Sequence, residues 1–250
     1  MAGSRLAPDR SELWVVNLGR IGYEDGVALQ RRARAARQAG ELPDTLLLVE
    51  HPPVYTKGRR SERADLPMGE DWYVMQGIEV AATDRGGRVT YHGPGQLVGY
   101  PIMAITDVLD YLRTMERGLI QALADEGIGA RVREGLTGVW VEERKIGSIG
   151  VHVSRGITTH GFAINVDNDL QPFEWIVPCG IEGVRMTSVS KETRRTGAMP
   201  CFQRRVAWRF VNAFGMRQRL VSPARLLDAI GLENEPTAVT RHPRLESAPA

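Results

Sequence analysis

Apolar residues along this chain change their spacing several times, and each change marks a new element. Leu13-Trp14-Val15-Val16-Asn17-Leu18 reads as a strand, and residues 23–39, rich in Ala and Arg and free of Pro, predict a helix. Residues 45–50 read as a buried strand. His51-Pro52-Pro53-Val54-Tyr55-Thr56 is extended by its prolines and residues 57–69 are a polar loop, so this region is expected at the rim rather than in the core. A short strand at residues 80–83 and another at Gln96-Leu97-Val98-Gly99-Tyr100-Pro101-Ile102 flank a glycine-rich run. Ile105, Val108, Leu109, Leu112, Met115, Leu119 and Leu123 then recur at steps of three and four, which predicts a core-facing helix over 107–125.

From residue 132 to 166 the period becomes two, with Val139-Trp140-Val141 leading into Lys145-Ile146-Gly147-Ser148-Ile149-Gly150-Val151. Further on, Thr159, Gly161, Ala163 and Asn165 share one parity while His160, Phe162, Ile164 and Val166 share the other, so one sheet face is small and the opposite face bulky. A small face either leaves room for a ligand or packs closely on another backbone, and both readings stay open. Val206, Phe210 and Phe214, with Ala207 and Val211 beside them, predict a second packed helix over 202–217. Residues 220–231 suit one more short helix. Residues 233–250 carry three prolines, mixed charge and no apolar period, which predicts a mobile tail.

Composition narrows the class of protein. A chain of 250 residues with 42% hydrophobic and 25% charged residues suits one large core, with no internal repeat or linker to divide it. No apolar run approaches the roughly 20 residues of a membrane span, and residues 1–12 lack a signal-peptide core, so a cytoplasmic protein is expected. A net charge of +2 gives no argument for nucleic acid. Arg31, Arg32, Arg34 and Arg37 nonetheless fall on one helix, and Arg185, Lys191, Arg194, Arg195, Arg204, Arg205 and Arg209 make the second half locally basic. Such runs are solvated faces or docking surfaces for an acidic partner.

Candidate chemistry concentrates in two places. The run Arg85-Gly86-Gly87-Arg88-Val89-Thr90-Tyr91-His92-Gly93-Pro94-Gly95-Gln96 bares main chain to a ligand and supplies polar handles in Arg85, Arg88 and His92; otherwise it is a glycine-rich hairpin turn. It lacks the Lys-Ser/Thr ending of a P-loop and the spacing of a dinucleotide fingerprint. Of the two cysteines, Cys179 sits in Pro178-Cys179-Gly180, a turn that can present a thiol to a cleft, whereas Cys201 stands at a helix start and is expected to pack. Without Cys-x-x-Cys spacing, no metal site is expected. A free thiol with an ordinary pKa near 8.5 is only a few per cent ionised at pH 7, so a nucleophilic Cys179 needs a partner. His92, His152, His160 and Lys145 are the candidates; Lys145 stands out because it begins an apolar strand, although a lysine at a strand edge could also extend to solvent.

The glycine run, the strand Lys145-Ile146-Gly147-Ser148-Ile149-Gly150, the segment His160-Gly161-Phe162-Ala163-Ile164-Asn165-Val166 and the Pro178-Cys179-Gly180 turn together resemble the lipoyl/octanoyl transferases of lipoate biosynthesis. The resemblance covers roughly residues 14–214. It implies a biotin/lipoate protein ligase-like fold, an α/β domain of α+β type with a mixed, largely antiparallel sheet and packed helices. The expected organisation is an N-terminal extension at 1–12, a catalytic domain at 13–219 and a C-terminal extension at 220–250. The resemblance further implies an ATP-independent acyltransferase without cofactor. In it Cys179 takes an octanoyl group from octanoyl acyl carrier protein as a thioester and Lys145 is its partner. A lysine ε-amine on a lipoyl domain, of a 2-oxoacid dehydrogenase or the glycine cleavage H protein, is the acceptor.

By position, Arg85, Gly86, Gly87, Arg88, Val89, Thr90, Tyr91 and His92, with Ser148, Ile149, Gly150, Gly161, Phe162 and Ala163, would line the acyl pocket. An ammonium about 4 Å from a thiolate contributes up to roughly 4 kcal/mol at an effective dielectric near 20, before desolvation. Backbone N–H groups near Gly180 or in the glycine run are candidates for the oxyanion site. The competing readings are an ATP-dependent lipoate or biotin ligase of the same fold, a thioesterase using Cys179, and a non-catalytic binding module.

Overall fold

A computed structural model describes residues 11–181 and 183–232; the expected mobile tail and most of the expected N-terminal extension lie outside them. The chain opens with β1 (Glu12–Arg20) and α1 (Tyr23–Ala39), a helix stopped by Gly40 in the left-handed region. β2 (Thr45–Glu50), β3 (Val54–Lys57), a 3₁₀ turn (Arg63–Asp65), α2 (Glu70–Met75) and β4 (Glu79–Ala82) follow. Next come β5 (Thr90–His92), β6 (Gln96–Ile102) and α3 (Val108–Ala124), whose N-cap Asp107 accepts the Asp110 N–H. β7 (Arg131–Arg133), β8 (Leu136–Val141), β9 (Arg144–Ser154) and β10 (Ile157–Asn165) run as an antiparallel meander. After 3₁₀ turns at Gln171–Trp175 and Pro178–Gly180, the chain forms β11 (Arg185–Met186), α4 (Val189–Thr193), α5 (Met199–Ala213), β12 (Arg217–Val221) and α6 (Pro223–Ala229).

The main sheet has the order β12-β1-β2-β6-β10-β9-β8-β7, with β11 added alongside β9. β1 pairs in parallel with both β12 and β2 and β11 is parallel to β9, whereas β2, β6, β10, β9, β8 and β7 are antiparallel in succession. Alternation divides its residues between two cores. Leu13, Val15, Leu97, Ile146, Phe162 and Ile164 face α3 and α5, while Trp14, Val16, Val98, Tyr100 and Ala163 face α1 and α6. A mixed, largely antiparallel sheet with packed helices is the architecture the resemblance implies, and the helices lie on both of its faces.

Four expectations change. Residues 51–57 are not rim: His51, Val54, Tyr55 and Thr56 are buried, because β3 is the centre of a second sheet of order β4-β3-β5. The glycine run is no simple hairpin either, since β4 and β6 on its flanks belong to different sheets and the run contains β5. On α3, Val108 and Leu109 are exposed and the buried face starts at Tyr111, the first turn overhanging the sheet. α5 ends at Ala213 rather than 217, since Gly215 takes a left-handed conformation and Arg217 enters β12 beside β1. β12 thus runs through the expected boundary at 219–220, and α6 buries Leu226 against the sheet.

Candidate active site

Cys179 occupies the middle of the Pro178–Gly180 turn at φ 58°, ψ 13°, a left-handed conformation costly for a residue with a side chain. Its N–H donates to the Val89 carbonyl at 2.9 Å, which ties the turn to the middle of the glycine run. Lys145 reaches the same point from β9. Its side chain is 2% exposed, and Nζ lies 3.3 Å from Cys179 Sγ and 5.3 Å from the centre of the Trp140 ring. Ser148 Oγ stands 4.0 Å from the same sulfur. Among the described residues no carboxylate forms an ion pair with Lys145, and Cys179 Sγ is the hydrogen-bond partner of its Nζ.

Room for Lys145 comes from a β-bulge. The β8–β9 register shifts between Val139 and Trp140, and Gly138, at φ +129°, gives its N–H to the buried Glu116 carboxylate at 3.1 Å. A Cβ on Gly138 would fall 2.8 Å from Lys145 Cε, so only glycine leaves the lysine its path. From the opposite side, Thr187 N–H donates to the Lys145 carbonyl beside β11.

The pair opens on a cavity of about 160 Å³. Val98, Ala163 and Ser148 are cross-strand neighbours on β6, β10 and β9, and this row of short side chains forms a floor leading to the sulfur. Arg85, Gly86, Gly87, Arg88, Thr90 and His92 border the cavity from the glycine run, and Ile149, Gly150, Gly161 and Phe162 complete the sheet side. The Phe162 ring itself turns away, 5.8 Å from Phe210 under α5. Both readings of the small face hold in part: Ala163 faces the cavity, while a Cβ at Gly161 would strike the Gly99 carbonyl at 2.2 Å. Val89 and Tyr91, expected in the pocket, point by strand alternation into a separate cluster with Tyr55 and Phe173.

The polar handles differ from their expected use. Arg85 is buried and its guanidinium folds back to Thr56 O and Oγ1 and to Gly86 O, bracing the loop from beneath. Arg88 ion-pairs with Asp65 and Glu62. His92 donates from Nδ1 to Gln96 Oε1 at 2.7 Å, an orientation fixed because Gln96 Nε2 donates to Asn165 Oδ1 and Tyr91 O. Burial pulls His92 down to about 3, so its imidazole is neutral at physiological pH. His160 and His152 both approach Asp84 instead of the sulfur, at 2.7 and 3.7 Å, and burial lowers the pKa of His160 despite that carboxylate. Of the four partner candidates, Lys145 alone is brought to Cys179.

Of the N–H groups considered for an oxyanion, those of Cys179, Gly180 and Gly86 already donate to carbonyls. Cys201, expected to pack, is exposed on the first turn of α5. Arg205 and Arg209 are held by Glu126 and Asp125 at the end of α3, so part of the basic half fastens α5 to α3. Sequence reasoning missed Tyr23, Arg60, and Gly135 with Leu136 and Thr137 at the start of β8, all around the cavity. Their only signals were a helix start, a loop arginine and a tight turn. No helix among the described residues is long and apolar enough to cross a membrane.

Residues 22–211 match the family described as lipoyl protein ligase A/B catalytic domain. An octanoyltransferase from Acidobacterium capsulatum is 47% identical over 195 residues, covering 71% of this chain and 79% of that protein. One from Mycobacterium bovis is 48% identical over 202 residues, covering 78% and 84%. Among solved structures, a bi-partite lipoate protein ligase from Thermoplasma acidophilum superposes with a TM-score of 0.70 at 19% identity, covering 90% of this chain and 91% of that one. A lipoate-protein ligase A bound with ATP gives 0.67 at 17% identity, with 90% and 93% covered, and both likenesses concern the fold alone. With octanoyltransferases at 47% and 48% identity, the chain is an enzyme of the acyltransferase class. The chain belongs to the lipoyl protein ligase A/B catalytic domain family.

Proposed function

We propose that this enzyme transfers an octanoyl group from octanoyl acyl carrier protein to a lysine ε-amine of a lipoyl domain, through a thioester on Cys179, in lipoate biosynthesis. The supporting observation is the Lys145 Nζ to Cys179 Sγ distance of 3.3 Å at the end of a floor of short side chains. The thiolate attacks the carbonyl of the donor thioester; the C–S bond to the donor arm breaks, and the departing thiolate takes a proton from the Lys145 ammonium. Lys145, now neutral, accepts the proton lost by the acceptor amine as that amine attacks the acyl-enzyme. The new C–N bond forms, the C–Sγ bond breaks, and the thiolate–ammonium pair returns. Lipoyl domains of 2-oxoacid dehydrogenases and the glycine cleavage H protein are the proposed acceptors. The eight-carbon tail lies along the Val98–Ala163–Ser148 row, where each buried CH₂ contributes about 0.8 kcal/mol.

The test is to mix the purified protein with octanoyl carrier protein, without ATP, and read its intact mass. A hydroxylamine-labile octanoyl adduct mapped to Cys179, discharged onto an added lipoyl domain, is the expected result. An adduct that forms only with ATP would select a ligase, rapid release of octanoic acid without acceptor a thioesterase, and no reaction in either case a binding module.

A further inference from the structure

We propose that Asp65 is a positioning residue for Cys179: its buried carboxylate clamps Arg88 over Gly180 while its carbonyl holds Val177, so one residue fixes both ends of the turn that carries the sulfur. This rests on the reading of Cys179 as the nucleophile paired with Lys145. A non-glycine residue held in the left-handed region is strained and persists only where its surroundings over-determine it. The Cys179 N–H bond to Val89 fixes the centre of the turn. Its two ends need other restraints, and both lead to Asp65.

At the near end, Val177 N–H donates to the Asp65 carbonyl at 3.1 Å. At the far end the Arg88 stem lies flat on Gly180, so closely that a Cβ there would fall 2.2 Å from Arg88 Cδ and 2.6 Å from Nε. Arg88 is kept in that place by Asp65: Nε donates a hydrogen bond to Oδ2 at 3.0 Å, and Nη2 lies 2.9 Å from Oδ1 as an ion-pair contact, without the alignment of a hydrogen bond. Its third contact, to Glu62, involves a carboxylate that is largely exposed and therefore weakly binding. The Asp65 carboxylate is 1% exposed and also receives the Glu62 N–H at 2.9 Å, so it has little freedom to follow a moving arginine. A charge-assisted hydrogen bond backed by a second close ion contact on a buried carboxylate fixes the place of the arginine as well as its charge balance. Losing these contacts frees Arg88 from Gly180 and lets the turn relax, carrying Sγ away from Lys145 Nζ.

The experiment is a double-mutant cycle on the reactivity of Cys179, in a Cys201→Ser background that removes the other, exposed thiol. Iodoacetamide labelling at pH 7 is followed by intact mass for the parent, Asp65→Asn, Lys145→Met and the double variant, with thermal melting alongside. Expected are about tenfold slower labelling of Asp65→Asn than of the parent, and no further slowing when Asp65→Asn is added to Lys145→Met. In octanoyl transfer, Asp65→Asn lowers kcat by a similar factor with the donor KM little changed. Equal slowing by Asp65→Asn in both backgrounds, or none in either, overturns the proposal. Should Asp65→Asn fail to fold, Arg88→Lys takes its place in the cycle, since it keeps the charge and loses the Nε hydrogen bond to Asp65. If the parent labels no faster than Lys145→Met, the underlying pairing of Cys179 with Lys145 is what fails.

Discussion

A single side chain, Lys145, lies 3.3 Å from the sulfur, and two substitutions test the role proposed for it. Lys145→Met keeps the aliphatic stem and removes the ammonium; labelling of Cys179 at pH 7 should slow by about tenfold, measured by mass spectrometry, whereas an unchanged rate would mean the charge is idle. Gly138→Ala inserts a Cβ 2.6 Å from the Gly147 carbonyl and 2.8 Å from Lys145 Cε, at a φ only glycine tolerates. A stability loss of about 1 to 3 kcal/mol in denaturant melts is expected, with transfer impaired more than folding. Cys179 and Lys145 were legible singly, one by its Pro-Cys-Gly turn and the other as a cation in an apolar strand. Their contact across 34 residues was not, because it depends on a bulge at Gly138 and on where the 177–180 turn docks. Asp65 gave no signal at all, since an aspartate in a polar loop looks solvated until Arg88 and Val177 close on it.

Elements with a strong period and a clear stop were readable to the residue. Tyr23–Ala39 has acidic residues in its first turn and Gly40 after its last, and Asp107 caps α3. β12 escapes the sequence reading, which ends one helix at 217 and starts the next at 220, because Arg217-Gln218-Arg219 is polar and the strand is an edge, visible only once β1 is beside it. β3 was misplaced at the rim because the burial of Val54 and Tyr55 comes from β4, β5 and the Gln171–Trp175 turn, none of which is local. The placement of α6 carries its own prediction. Leu226 is fully buried among Trp14, Val16 and Leu18, so Leu226→Ala should cost about 2 to 4 kcal/mol in chemical denaturation. A cost below 0.5 kcal/mol, roughly that of a surface change, would show that residues beyond 219 add little to the fold.

Across the whole molecule, sheet class was legible but strand order was not, since β6 joins β2 to β10 by contacts far apart in the chain. The assembled core also sets a pH dependence. Burial holds His51 down to about 4 and His92 to about 3, both below the ordinary 6.5. The folded state therefore favours the neutral rings, and the unfolded chain binds protons first as pH falls. Stability is complete above about pH 6.5 and declines toward pH 4, each histidine accounting for roughly 2 to 3 kcal/mol by about pH 4.5. Urea midpoints measured from pH 7.5 to about 4.5 should fall accordingly, and His92→Gln should flatten the decline. The central claim is nevertheless chemical, and the most direct measurement is the rate at which octanoyl carrier protein acylates the protein without ATP, read as intact mass for the parent, Cys179→Ser and Lys145→Met. A rapid hydroxylamine-labile adduct is expected in the parent, none in Cys179→Ser and a much slower one in Lys145→Met. An adduct that persists in Cys179→Ser, or one as fast in Lys145→Met as in the parent, would contradict that claim.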